Sequence, residues 1–380
     1  MATILTEDQL GIQKMIRDFM AKSVKPRLRD LDEKGEFPQD IYKEAFEMGL
    51  HCLQIPEQFG GAGLDFMTMA VALEEMGRGD PGFAITMLST SMTLKCILLG
   101  GNDEQKQRAA DILIPGAHGS FTMTEPGSGS DALSLRTTAT KDGDCYVLNG
   151  TKCFATNGAV SDLYVVIATV DKALGSKGTV AFMVEGGTPG LTVGNHENKM
   201  GLRLSNTCSL YLDEMRVPAR NMLGGVGDGM RIALGGLDTG RIYNAAVATG
   251  IAQAALEESV AYAKVREQFG KPIIENQAMQ MILADMQIGT EAGRQLVYSA
   301  MRLLDAGVKK VSMEASCAKT FCGDNAVRVA TDAVQIFGGY GYSKEYPVEK
   351  MMRDSKIFQI FEGTNQIQRL VVVRELKKLY

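Results

Sequence analysis

Residues 145–154 read CYVLNGTKCF, with apolar and β-branched side chains on both sides of an Asn-Gly pair at 149–150. Such a pair between such runs is a strong short-range signal for two strands joined by a tight turn. The same texture recurs in LYVVIATV (163–170), GTVAFMV (178–184) and CSLYL (208–212). A small antiparallel sheet is therefore expected between about 119 and 225.

On both sides of this segment the period changes. EDQLGIQKMIRDFMAKSV (7–24) and DFMTMAVALEEMGRG (65–79) return apolar residues every three or four positions, as amphipathic helices do, and IPEQFGGAG (55–63) breaks the pattern with a loop. Beyond NMLGGVGDGM (221–230) three long helical stretches follow, within 244–270, 276–307 and 312–339, and suggest an antiparallel bundle. The expected class is α+β: a helical domain over 1–118, a β domain over 119–228 and a helical bundle over 229–380. No repeat or low-complexity linker separates them, so tight packing is expected.

Composition narrows the function classes. The chain has 380 residues, 45% of them apolar, and a formal charge of -5, which describes a mildly acidic globular protein with no general attraction for nucleic acid. Glu7 and Asp8 interrupt the N-terminus before an apolar run develops, and no membrane span of roughly 20 apolar residues is expected. A cytoplasmic location is the default. The seven cysteines are scattered and read as reduced packing residues, and three histidines (51, 118 and 196) leave little room for hydrolase triads or His-rich metal sites. No metal site is expected.

Neither G-x-G-x-x-G after a strand nor G-x-x-x-x-G-K-[ST] occurs, which excludes the standard nucleotide loops. FTMTEPGSGSD (121–131) instead places a Pro/Gly turn rich in hydroxyls where helix gives way to sheet. Such a turn can offer backbone N–H groups to an anion or a flat ring, though it also serves as an ordinary connection. REQFG (266–270) and QIFGGYGY (335–342) each end a long helix in glycine, with capping as the plain account of Gly270 and of one of Gly338 and Gly339. Arg266 and Gln335 precede those glycines at matched distances and would suit a diphosphate. LDTGRI (237–242) opens the first helix of the bundle with Asp238 and Arg241 one turn apart, the spacing of an intrahelical ion pair. In IFQIFEGTNQIQRL (357–370) a lone carboxylate, Glu362, follows a run of Ile and Phe. Either it is a solvated turn residue or its surroundings tune it.

Seven motifs in order, TEPGSGSD, KCFATNG, KMGLR, LDTGRI, REQFGKPI, QIFGGYGY and FEGTNQIQ, together resemble the acyl-CoA dehydrogenases over essentially the whole chain, in their short-chain, butyryl-CoA-dehydrogenase-like branch. The resemblance implies an FAD enzyme that removes the α and β hydrogens of an acyl-CoA thioester, passes electrons to an electron-transferring flavoprotein and assembles as a homotetramer. By motif, Phe121, Met123, Thr124, Phe154 and Thr156 would line the flavin, and Thr364 and Gln366 would complete its site. Arg266, Phe269, Gln335, Gly338 and Gly339 would reach the FAD of a neighbouring subunit. Ser130, Asp238 and Arg241 would hold the CoA moiety, and Gly363 would let the backbone approach the substrate. Glu362 would be the catalytic base. Its backbone N–H and a flavin ribityl hydroxyl would hold the thioester carbonyl oxygen while hydride leaves for flavin N5.

Departures from the family pattern narrow the substrate. Some relatives carry the base at the position of Gly240, which here has no side chain. Glutaryl-CoA dehydrogenases have an arginine where this chain has Ala84, which disfavours a dicarboxylic substrate. Phe154 replaces a common tryptophan, and Gln366 a frequent glutamate. TMLSTSMTLKCILLG (86–100) is expected to border the acyl pocket of a short chain, linear, branched or cyclic. Two other readings stand beside this one: an enoyl-CoA reductase running the reverse reaction, and a CoA-binding helical protein without redox activity. A hydrolase lacks both a G-x-S-x-G nucleophile and a base to name.

Overall fold

The computed structural model describes residues 5–380, so the first four residues of the expected N-terminal domain lie outside it. Helices α1 (Glu7–Phe19), α2 (Leu28–Lys34), α3 (Gln39–Glu47), α4 (Phe66–Gly79), α5 (Pro81–Gly100) and α6 (Asp103–Leu113) form the first block. Their starts are written in the sequence: Thr6 and Gln9 make a reciprocal capping box on α1, while Asp65 and Asp80 cap α4 and α5. Helix α5 is apolar on all sides. It is long and apolar enough to cross a membrane by length and composition, yet 72% of its most apolar window is buried inside the protein, which makes it a core helix.

Strands β1 (His118–Thr122), β2 (Thr138–Asp142), β3 (Cys145–Thr156), β4 (Ser161–Thr169), β5 (Thr179–Glu185), β6 (Leu191–His196), β7 (Thr207–Pro218) and β8 (Met222–Leu223) form one eight-stranded sheet, ordered β6-β7-β3-β2-β4-β5-β8 with β1 against β4. Most pairs are antiparallel as expected, but β1 runs parallel to β4, so the sheet is mixed. The unbroken apolar run of β4 now has its reason. Leu163, Val165 and Ile167 face a core shared with α5 and α6, while Tyr164, Val166 and Ala168 face a second core on the other side.

Asn149 and Gly150 do not form the expected turn. β3 runs through them, pairing with β2 and β7, and the register with β7 slips between Leu148 and Gly150. Asp213 and Glu214 of β7 together oppose Asn149, so the bulge lies on β7. A Cβ on Gly150 would sit 2.4 Å from Thr137 Oγ1, so only glycine admits this close crossing. The hairpin between β2 and β3 turns instead at Gly143-Asp144, with Asp142 opposite Cys145.

After α7 (Gly229–Gly235) come α8 (Leu237–Val265), the short strands β9 (Glu267–Gln268) and β10 (Lys271–Pro272), then α9 (Gln277–Asp305), α10 (Ser312–Phe337), α11 (Val348–Ser355) and α12 (Asn365–Leu379). One core unites the two helical blocks: Ile16, Met69, Leu73 and Phe83 pack in it with Tyr243, Val247, Tyr298 and Phe358. Glycines at 77 and 250 seat α4 against α8, where any Cβ would strike the opposing backbone.

Candidate functional site

The expected site residues fall into three groups. The first forms where β1 meets β3. Cys153 N–H donates to Thr124 O (2.9 Å) and Lys152 Nζ to Met123 O (3.2 Å), which sets Phe121, Met123 and Thr124 beside Phe154 and Thr156. The β3 register slips a second time between Lys152 and Ala155. Phe154 occupies that slip with a φ of 55° and is 63% exposed. Bulges beside functional sites re-aim side chains, and this one holds an aromatic ring away from the core on a strained backbone. Glu125, which the sequence reading did not single out, anchors the adjoining turn. Its buried carboxylate accepts from Arg136 N–H (2.6 Å), Thr137 N–H (3.1 Å) and Lys152 Nζ (2.7 Å). Burial alone would raise its pKa, but Lys152 and these N–H groups hold it below the usual range. Ser130 lies on the exposed loop that follows.

The second group surrounds Glu362, at the turn that leads into α12. Glu362 has a φ of 55° and Gly363 one of 84°. A Cβ on Gly363 would lie 2.6 Å from Gln368 Nε2, so the second position of this turn demands glycine. Gln368 Nε2 donates to Glu362 O (3.0 Å) and Gly363 O (3.1 Å), and Lys319 Nζ donates to Gly363 O and Asn365 Oδ1 (each 2.9 Å). Among the described residues no donor reaches the Glu362 carboxylate itself. That carboxylate sits deep among protein atoms but opens onto a cleft, so water still reaches it. Desolvation pushes its pKa above the ordinary glutamate range, and Lys319 and Arg241 pull it partly back. The desolvation acts in full once a ligand displaces the cleft water.

Asp238 and Arg241 make the expected ion pair (3.0 Å), and Asp238 also accepts from Ser312 Oγ (2.6 Å). Arg241 is buried, with its Nε left without a partner. A Cβ built on Gly240 would stand 3.6 Å from Met92 Cε and 3.8 Å from Glu362 Oε2. Thr364 is the N-cap of α12, its hydroxyl accepting from Ile367 N–H (3.2 Å), and Gln366 is exposed on the first turn. Beside this group lies a cavity of about 400 Å³ lined by Gln54, Met92, Lys95, Cys96, Gly236 and Thr239. Helix α5 borders it through Met92, Lys95, Cys96 and Leu99.

The third group sits at the opposite end of α8. Gly270 does not cap that helix, which ends at Val265. Phe269 and Gly270, with φ of 55° and 78°, form the two-residue turn between β9 and β10. Arg266 lies over the Tyr340 ring (5.5 Å to its centroid), bringing the hairpin to the end of α10, where Gly338 caps as expected. Phe269 is 95% exposed and Gln335 is exposed. Nothing lies within 4 Å of a Cβ built on Gly338 or Gly339, which leaves an open stretch of backbone. The 29 residues of α8 place this group about 40 Å from Asp238.

The chain as a whole is similar to known proteins. The acyl-CoA dehydrogenase N-terminal, middle and C-terminal domain families match residues 6–116, 120–215 and 227–377. An acyl-CoA dehydrogenase of Bacillus subtilis is 47% identical, over 98% of this chain and 98% of its own length. Among solved structures, the butyryl-CoA dehydrogenase from Megasphaera elsdenii superposes with a TM-score of 0.96 at 43% identity, covering 99% of this chain and 100% of its own. A chain from a study of the electron transferring flavoprotein of Acidaminococcus fermentans and flavin-based electron bifurcation matches equally, with a TM-score of 0.96 at 44% identity and 99% of both chains covered. Three domain families in register over nearly the full length, on a fold shared at this identity, make the chain a member of the acyl-CoA dehydrogenase family.

Proposed function

We propose that this FAD-dependent oxidoreductase acts on the α,β C–C bond of a short-chain acyl-CoA thioester with Glu362 as its base. The observation that carries the reading is the Glu362 turn: a carboxylate free of donors, on a strained backbone braced by Lys319 and Gln368, beside Gly240 at the start of α8. A base for a weakly acidic α-carbon needs a pKa above that of a solvated carboxylate, and the protein atoms crowded around Glu362 push its pKa in that direction although the residue is still open to water. The proton moves from the α-carbon to a Glu362 oxygen, while the Glu362 N–H is available to the thioester oxygen. Asp238 and Arg241, with its unpartnered Nε, bind the CoA portion together with Ser130.

The residues present fit a flavin: Phe154 offers an exposed ring beside Phe121, Met123, Thr124 and Thr156, close to α5, and Thr364 and Gln366 stand past the Glu362 turn. FAD, when bound, supplies the hydride acceptor. Arg266, Phe269, Gln335, Gly338 and Gly339 lie about 40 Å along α8, too far to share that site in one chain. That separation supports their service to a second subunit. Apolar side chains exposed on α9 and α12 (Met281, Ile288, Leu370 and Val373) support a homotetramer. An electron-transferring flavoprotein is the proposed electron acceptor.

Anaerobic titration of the purified flavoprotein with butyryl-CoA tests the reading. Bleaching of the flavin band is expected. Reoxidation of the dithionite-reduced protein by crotonyl-CoA, without bleaching by butyryl-CoA, would favour the reductase direction instead.

A further inference from the structure

We propose that Asp324 of α10 is a positioning residue for Glu362, its carboxylate clamping the two shoulders of the turn that carries the base. This rests on Glu362 being the base of the reaction.

With no donor on the Glu362 carboxylate among the described residues, the backbone of the turn sets where that carboxylate points. A left-handed backbone at a non-glycine residue persists only where its surroundings over-determine it. The shoulders of the turn are Gln359, which ends the short helical turn Lys356–Gln359, and Asn365, which opens α12. One oxygen of Asp324, Oδ1, accepts from both, from Gln359 Nε2 (2.8 Å) and from Asn365 Nδ2 (2.8 Å). Its other oxygen accepts from Arg369 Nη2 (2.7 Å), one turn further along α12. A single side chain thus ties together the chain that enters the turn, the chain that leaves it and the helix beyond. Partial burial raises the Asp324 pKa, but hydrogen bonds from Arg369, Asn365 and Gln359 hold it below the usual range, so Asp324 keeps its charge while Glu362 titrates.

The rest of that face of α10 serves the same stretch. Ser316, Lys319, Gly323 and Asp324 recur at helical spacing on one side of the helix. Ser316 Oγ donates to Gln368 Oε1 (2.9 Å), which orients the amide that holds Glu362 O and Gly363 O. A Cβ on Gly323 would lie 2.5 Å from Phe358 O, so α10 rests directly on the backbone that leads into the turn. Asn365 is buried and uses its whole amide, Oδ1 accepting from Lys319 Nζ and Nδ2 donating to Asp324 and to Thr320 O (3.2 Å). Lys319 and Gln368 bind the chain at and after Glu362, whereas Asp324 also binds the chain before it. The Gln359 amide oxygen accepts from Lys356 of its own turn (2.7 Å), so its link to α10 is the one to Asp324.

Anaerobic reduction of the holoenzyme flavin by butyryl-CoA, followed across pH, tests the clamp. Asp324→Ala is expected to lower the limiting rate of reduction about 100-fold while the half-saturating butyryl-CoA concentration holds, the effect of a reacting group displaced by about 1 Å. The pH midpoint of the second-order rate is expected to fall towards that of a free glutamate, because a loosened turn lets the Glu362 carboxylate move into water. Asp324→Asn keeps an oxygen for Gln359 and Asn365 and gives up the Arg369 ion pair, so it is expected to rescue both the rate and the midpoint. An Asp324→Ala variant with unmoved rate and midpoint overturns the clamp, as does an equal loss in the Ala and Asn variants. Gln359→Met, at a half-buried position, cuts one shoulder and is expected to lower the limiting rate about 10-fold; an unchanged rate there overturns the proposal even if Asp324→Ala fails to fold. Glu362→Gln separates the two readings. Retained reduction in that variant removes the base and the clamp together, whereas its inactivity beside an unaffected Asp324→Ala removes the clamp alone.

Discussion

Glu362 combines three features that rarely coincide: a left-handed backbone, a carboxylate whose pKa the surrounding protein raises and no hydrogen-bond donor. Each destabilises the fold, and together they suit a base. Replacing it by glutamine keeps the shape and removes the charge, so turnover should fall roughly 100- to 10,000-fold while acyl-CoA binding persists; retained turnover would remove Glu362 from the reaction. Stability should move the other way. A carboxyl whose pKa is raised in the fold binds its proton more tightly folded than unfolded, so its stabilising contribution is present at low pH and is lost as pH climbs through the raised value. Glu362→Gln should therefore melt higher than the unmodified protein at neutral pH, with the gain vanishing below the ordinary carboxylate range. For the same reason kcat/KM should rise with pH through a midpoint above that of a free glutamate. Lys319 braces the turn from a fully buried position, and Lys319→Met leaves Asn365 Oδ1 without its donor and Gly363 O with Gln368 alone. A loss of about 1–3 kcal/mol in denaturant unfolding is expected; an unchanged midpoint would show that the turn holds without it.

Strand β3 shows how far local pattern carries. Its apolar alternation was legible, as was the order of helices, sheet and helices, because these depend on neighbours within a few residues. The Asn-Gly pair was misread because the same dipeptide can stand inside a strand, here opposite a bulge of β7 and with Thr137 packed against Gly150. Gly270 was misread in the same way, as a helix cap when it completes a hairpin. Around Glu362 the supporting lysine and glutamine were invisible. A lysine within a helix reads as solvent-facing until packing buries it, and Lys319 and Lys95 are both of that kind. The close approach at Gly150 is open to test. Gly150→Ala would bring a methyl group within 2.4 Å of Thr137 Oγ1 and should cost about 1–3 kcal/mol. A stability equal to the unmodified protein would mean that the two strands can part there without loss.

Helix α8 separates two groups of candidate site residues. Its first turn carries Asp238, Gly240 and Arg241 beside Glu362, and its far end delivers Arg266 and the β9–β10 turn to open solvent. A rigid rod buried in a core common to both helical blocks fixes that separation, so the two ends cannot close on a single ligand. Phe269 makes the consequence testable. Being 95% exposed, it contributes almost nothing to the fold of its own chain, and Phe269→Ser should leave the melting of flavin-free protein within about 0.5 kcal/mol. If Phe269 reaches across a subunit boundary, the same change should lower the FAD content of purified protein and shift its size-exclusion profile towards smaller species. The loss should track protein concentration, since dilution weakens a contact between subunits but not one within a chain. Full flavin content and an unaltered profile would confine the flavin site to one subunit, and would leave the exposed Phe269 and the open glycines of 338–339 without a partner to explain them.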